Sequence, residues 1–172
     1  MNYNKMTEKE QLTIVKKEGW TIQYIENPSE QVQLAAVKEN GYAIDDIENP
    51  SEQVQLAAVK QQDDILDYIK DPSKQVQLAA VKQDGWAIQY IENPSEEVQL
   101  VAMQQNGYAI RYIKNHSEQI QVAAFEQNPD SFLFIKIKDF KIPKFILLKH
   151  IDHKFENEIV HKRFLKLLKK SK

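Results

Sequence analysis

Three histidines crowd the C-terminal segment: His150, His153 and His161, the last of them three residues after Glu158. A Glu-x-x-His pair on a helix is half of the ligand set of a di-iron bundle, and the chain has no second pair. His150 and His153 could share a helix face and hold Zn²⁺ together with a carboxylate. The competing assignment is the polar side of an amphipathic helix, with Asp152 as N-cap and Leu148, Ile151, Phe155 and Ile159 on its apolar side. The second is the expectation, so no metal and no cofactor is anticipated. The paired acids Asp45/Asp46 and Asp63/Asp64 have the composition of a general acid–base pair. They fall at positions of an internal 22-residue repeat that carry Gln, Tyr or Gly in other copies, which suits solvated surface better. No Ser/His/Asp motif or P-loop is present, and the four glycines are isolated. Cys is absent, which excludes disulfides and thiolate metal sites. The chain is expected not to be an enzyme.

Other side chains suit recognition rather than catalysis. Gln33, Gln55, Gln77, Gln99 and Gln121 are identical in every copy of the repeat. The expectation is a structural ladder of amides hydrogen-bonded from copy to copy; the alternative is a polar stripe on a binding face. On the exposed face of the shorter second half of each repeat the copies differ. Gln23/Glu26, Asp45/Glu48, Asp67/Lys70, Gln89/Glu92 and Arg111/Lys114 change charge from copy to copy, beside Tyr24, Asp46, Tyr68, Tyr90 and Tyr112. Tyr and Arg are favoured anchors at protein interfaces. The candidate partner-binding residues are therefore Tyr24, Tyr68, Gln89, Tyr90, Glu92, Arg111, Tyr112 and Lys114. The alternative is that each Tyr ring packs on the next copy and only its hydroxyl meets water.

These residues need elements to carry them. The block NPSEQVQLAAVK at Asn27–Lys38 recurs at Asn49–Lys60, and in altered form at Asp71–Lys82, Asn93–Gln104 and Asn115–Glu126. A fixed period of 22 residues signals a stacked repeat. Asn or Asp followed by Pro, with Glu three residues on, predicts a helix start with a capping box; the alternative cap is the Ser that follows the Pro. The helix should run through VQLAAVK, apolar nearly all round, and end near Gly19, Gly41, Gly85 and Gly107, each placed as a left-handed cap. A shorter helix, α or 3₁₀, follows, with Ile at i and i+3, as at Ile44 and Ile47. The expected fold is all-α, a right-handed α-solenoid of two-helix repeats. Residues 1–19 form an N-terminal capping helix, 20–129 five repeats, and 130–172 a diverged last repeat and basic cap. About seven units at 8–10 Å each would make a rod or arc of roughly 60 Å.

The run Ala36-Val-Lys-Glu-Asn-Gly-Tyr-Ala-Ile44 resembles repeats of a domain of unknown function in bacterial and large-virus proteins. The alternation of a long with a very short helix also resembles the leucine-rich-repeat variant superhelix. The likeness spans about residues 7–135 and implies an architecture, with no reaction attached.

Charge divides the chain. Residues 1–129 hold 11 Lys/Arg against 20 Asp/Glu, a balance of −9, and residues 130–172 hold 12 against 5, a balance of +7. The leading expectation is a non-enzymatic module, scaffold or inhibitor, that grips a protein partner through its repeat surface. An alternative is an inhibitor that mimics DNA with an acidic patch of Asp45, Asp46, Glu48, Glu52, Asp63, Asp64 and Asp67. Duplex DNA carries a charge every ~1.7 Å, against about one per 7 Å here, so full mimicry is not expected. A further alternative is nucleic-acid or anionic-membrane binding through residues 162–172, where Phe164, Leu165, Leu167 and Leu168 interleave with Lys162, Arg163, Lys166, Lys169 and Lys170. The N-terminus has no stretch apolar enough for a signal peptide, so a cytoplasmic location is expected.

Overall fold

The computed structural model describes residues 3–62, 64–155 and 158–170. All regular elements among them are helical. The α-helices are α1 (Glu8–Val15), α2 (Glu30–Glu39), α3 (Glu52–Val59), α4 (Lys74–Gln83), α5 (Glu96–Gln105), α6 (Glu118–Gln127), α7 (Lys144–Lys149) and α8 (Glu158–Lys170). Short 3₁₀ helices separate them, among them Gly19–Tyr24, Gly41–Asp46, Ile65–Tyr68, Gly85–Tyr90, Gly107–Tyr112 and Pro129–Phe134. The residues divide into two compact units, Met1–Gln83 with α1 to α4 and Asp84–Lys172 with α5 to α8. Within the first, α1 packs on α2, α2 on α3 and α3 on α4; within the second, α5 packs on α6 and α7 on α8. None of the described helices is long and apolar enough to cross a membrane.

The long helices take the alternative cap, two residues later than Asn or Asp. Ser29, Ser51, Ser73, Ser95 and Ser117 are the caps, each hydroxyl oxygen accepting the amide N–H three residues on. Asn27, Asn49 and Asp71 instead lie in the left-handed region, with φ of 50°, 53° and 50°. Asn and Asp tolerate that region better than other non-glycine residues, which explains their place before Pro. The Glu of the supposed capping box is then the first helical residue and cannot reach back. It serves the next copy: Ser51 donates to Glu30 (2.5 Å), Ser73 to Glu52 (2.5 Å), Ser117 to Glu96 (2.8 Å), and Ser29 to Glu8. Only α1 keeps the predicted device among the described helices: Thr7 and Glu10 form a capping box, and the paired hydrogen bonds hold the Glu10 carboxyl below its usual range.

The glycines are also not left-handed caps, since none has a positive φ. Each begins a 3₁₀ helix, where a side chain would strike the next copy. A Cβ on Gly19 would stand 2.6 Å from the Ala36 carbonyl oxygen, and one on Gly85 2.7 Å from that of Ala102. On Gly107 it would overlap the Ala124 carbonyl oxygen. Before three of the four glycines the preceding residue sets the start: Asn40, Asp84 and Asn106 accept the amide two residues ahead at 3.0–3.1 Å, whereas Glu18 before Gly19 makes no such bond. Asn128 does the same for Asp130 ahead of Pro129.

The core repeats with the sequence. Val32, Ala36 and Val37 of α2 are buried with Ala43, Ile44 and Ile47 of the following short helix, and each later copy buries the same set. The helix is not apolar-buried all round, however. Leu34 and Ala35 are half-buried, and Leu34 lines an open groove with Leu56 and Ala57 of α3.

The C-terminal segment departs from expectation. One amphipathic helix does not form; α7 ends in turns at His150–Asp152, and α8 begins at Glu158. Leu148, Ile151 and Ile159 are exposed rather than inward, and Asp152 is an exposed turn residue instead of a cap. The apolar work falls to Ile146, Leu147, Val160, Phe164 and Leu167. Phe164 stacks parallel to Phe125 at 6.2 Å and meets Phe155 at 4.7 Å and Phe132 at 6.1 Å. Arg163 donates to the carbonyls of Leu133 (3.2 Å) and Ile135 (2.9 Å), closing the end of the last repeat-like 3₁₀ helix.

Candidate interaction surface

The 3₁₀ helices point Ile inward and alternate aromatic rings outward. Their opening aromatic reaches 26 residues ahead to the Tyr position of the next copy. Tyr42 meets Tyr68 edge-to-face at 5.2 Å, Trp86 meets Tyr112 at 5.8 Å, and Tyr108 meets Phe134 at 5.6 Å. In the first copy Tyr24 stacks on Tyr3 at 5.2 Å and lies edge-on to Trp20 at 6.0 Å. The rings pack on neighbours and still face solvent. Trp20 is 45% exposed, Tyr24 48%, Tyr68 42% and Tyr112 42%. The packing of ring on ring that was anticipated for the Tyr row is thus present, and the rings keep an exposed face. The 26-residue aromatic spacing, one period plus four, is the signal that marks the ring pairs in the sequence. It brings in Tyr42, Trp86, Tyr108 and Phe134, which reading each copy alone passes over.

Charge around the rings differs between the two units. In the second, the Arg111 guanidinium lies 5.7 Å from the Tyr112 ring centre and 5.1 Å from that of Phe134, a cation over two faces. Arg111, Lys114, Gln89 and Glu92 are exposed around it, and Tyr90 is half-buried. In the first, Asp45, Asp46, Glu48, Glu52, Asp64 and Asp67 are exposed. Several are already engaged: Asp64 accepts the Tyr42 hydroxyl proton at 2.7 Å, and Glu52 accepts that of Ser73. Partial burial, with Asp45 alongside, lifts the Asp46 carboxyl above its usual range. Asp63 lies outside the described residues.

The glutamines sit behind this row. The ladder expected between copies is instead a brace within each copy. Gln33, Gln55, Gln77 and Gln99 donate from Nε2 to the carbonyls of Pro28, Pro50, Pro72 and Pro94, at 2.8–3.1 Å. The loop before each helix places the carbonyl five residues upstream within reach of the Gln side chain. Gln121 differs: its Nε2 donates to the Asp139 carbonyl (2.7 Å) and its Oε1 accepts the Lys141 amide (2.8 Å). It is fully buried. Repeat-to-repeat hydrogen bonding runs instead through the Ser and Glu pairs, through Tyr42 to Asp64, and from the Gly19 and Gly107 amides to Glu39 and Gln127.

The C-terminal histidines serve packing. His150 lies edge-on to Phe125 at 5.1 Å, and His153 and His161 flank Phe155 at 4.8 and 5.6 Å. Among the described residues no group of three or more His, Cys, Asp or Glu is placed to hold a metal. At the basic end, Phe164 and Leu167 are buried and Leu168 half-buried, while Lys162, Lys166, Lys169 and Lys170 are exposed.

Compared with known proteins, the chain matches no family model, no curated protein and no solved structure.

Proposed function

We propose that the chain is a right-handed solenoid of 22-residue repeats, a non-enzymatic cytoplasmic module that grips a protein partner through the outer face of its 3₁₀ helices. The observation that carries this reading is the row of half-exposed aromatic rings. Each ring is held by a neighbouring ring, so its rotamer entropy is largely spent before binding. Large rigid aromatic groups beside Arg111 are the composition of an interface centre. The charges around the rings vary between copies while the core does not, as expected where the core serves folding and the rim serves selectivity. The burial of Phe164 and Leu167 argues against membrane insertion of α8, because its apolar side is occupied by the protein itself.

The test is affinity capture from the native host with wild-type chain and with Tyr112→Ala as baits. A protein retained by the wild type and lost by Tyr112→Ala, with the melting temperature of the variant within a few degrees, supports the reading. Equal retention by both baits contradicts it.

A further inference from the structure

The fifth copy contains its own ligand. Gln121 brackets the backbone around Phe140, donating to the carbonyl before it and accepting the amide after it. Phe140 itself is extended (φ −71°, ψ 120°). Those two groups point the same way from an extended residue, so one primary amide satisfies both, as a neighbouring strand would. The contact reads main chain and ignores side chains. The same Gln stands in the other copies with no extended segment bonded to it. In those copies one Nε2 proton goes to the Pro carbonyl, which leaves a second N–H and the oxygen for other partners.

Around Gln33 this amide borders an open groove between the loops Ile25–Pro28 and Asp46–Asn49. The charged residues that line it are Glu26, Asp46 and Glu48, with no cation among them. We propose that this groove binds an extended, basic segment of a protein partner, the Gln33 amide pairing with its main chain as Gln121 pairs with Asp139 and Lys141. This rests on the reading of the repeats as a protein-binding array and names the chemistry of what is bound. The Asp46 carboxylate, partly buried beside Asp45, would gain from an incoming cation.

The chain supplies its own probe: residues 136–143, KIKDFKIP, carry three Lys against one Asp. A fluorescein-labelled, end-blocked peptide of that sequence is titrated with the full-length protein and followed by anisotropy. Saturable binding is expected, at least fivefold weaker for the peptide N-methylated at the amide equivalent to Lys141. It should also be at least fivefold weaker for Gln33→Ala, and lost when the three Lys are replaced by Glu. The methylated peptide leaves the protein untouched, so folding of the variant does not enter that comparison. No binding at 1 mM, equal affinity for the methylated peptide, or unchanged affinity in a folded Gln33→Ala protein overturns the proposal. Self-association abolished by Gln33→Ala would make the occupant a second copy and overturn it as well. A partner captured through Tyr112 alongside any of these failures would leave the broader function standing and remove only this groove.

Discussion

Gly107 and Gly41 occupy the same repeat position and face different neighbours. A Cβ on Gly107 would overlap the Ala124 carbonyl, which is backbone and cannot move alone, whereas on Gly41 the nearest atom is the Gln62 side chain at 2.8 Å. Gly107→Ala should therefore cost about 1–3 kcal/mol, and Gly41→Ala clearly less, in denaturant melts. Equal costs would mean that close approach is not why glycine is there. His116 replaces the Pro of other copies and is half-buried. Burial holds its imidazole below the ordinary value of 6.5, Asp139 opposes this, and Lys141 adds to it. His150 is lowered by burial and by His153. The folded state thus binds these protons less readily than the unfolded chain. Stability is full above pH 6.5 and is lost as pH falls from there toward the depressed folded values. The melting temperature should drop between pH 7.5 and 5.5, and His116→Asn should shrink that drop. A drop of the same size in the variant would refute the assignment. At this scale the sequence showed which residues recur and misled on why. Glycine after a helix suggests a left-handed cap, and only the distance to the next copy's carbonyl reveals a steric reason.

The long helix and its 3₁₀ companion were legible as a pair, because Ile44 and Ile47 keep a spacing of three and the apolar block recurs every 22 residues. Their junctions were less so. Asn-Pro marks a turn whose left-handed Asn throws the helix start forward to Ser29, and nothing in a propensity scale separates that from a cap at Asn27. The Ser and Glu pairs between copies join residues 21 apart and are invisible to any single-helix pattern. The second Ala of each block is the tightest contact of the element: Ala36, Ala58, Ala80, Ala102 and Ala124 are at most 2% exposed. Ala58→Leu should overpack α3 and destabilise the chain by about 1–3 kcal/mol, whereas the half-buried Ala57→Leu should cost less. Reversed costs would mean that the inner face has been assigned to the wrong Ala.

Across the whole molecule, an acidic set of repeats is followed by a basic segment, −9 against +7, and two surfaces compete for the role of contact site. Deleting residues 162–172 would not separate them, since Phe164 and Leu167 are core and Arg163 holds two carbonyls. The sequence could not reveal this, because a basic amphipathic helix looks the same whether its apolar side meets lipid or its own protein. Charge changes on exposed residues avoid the difficulty. The deciding measurement is the affinity of a captured partner for two variants side by side: Arg111→Glu with Lys114→Glu, and Lys166→Gln with Lys169→Gln and Lys170→Gln. A protein partner held by the 3₁₀ face should lose at least tenfold in affinity to the first variant and less than threefold to the second. Strong loss with the lysine variant and little with the Arg111 and Lys114 variant would place the working surface on α8 and contradict the account.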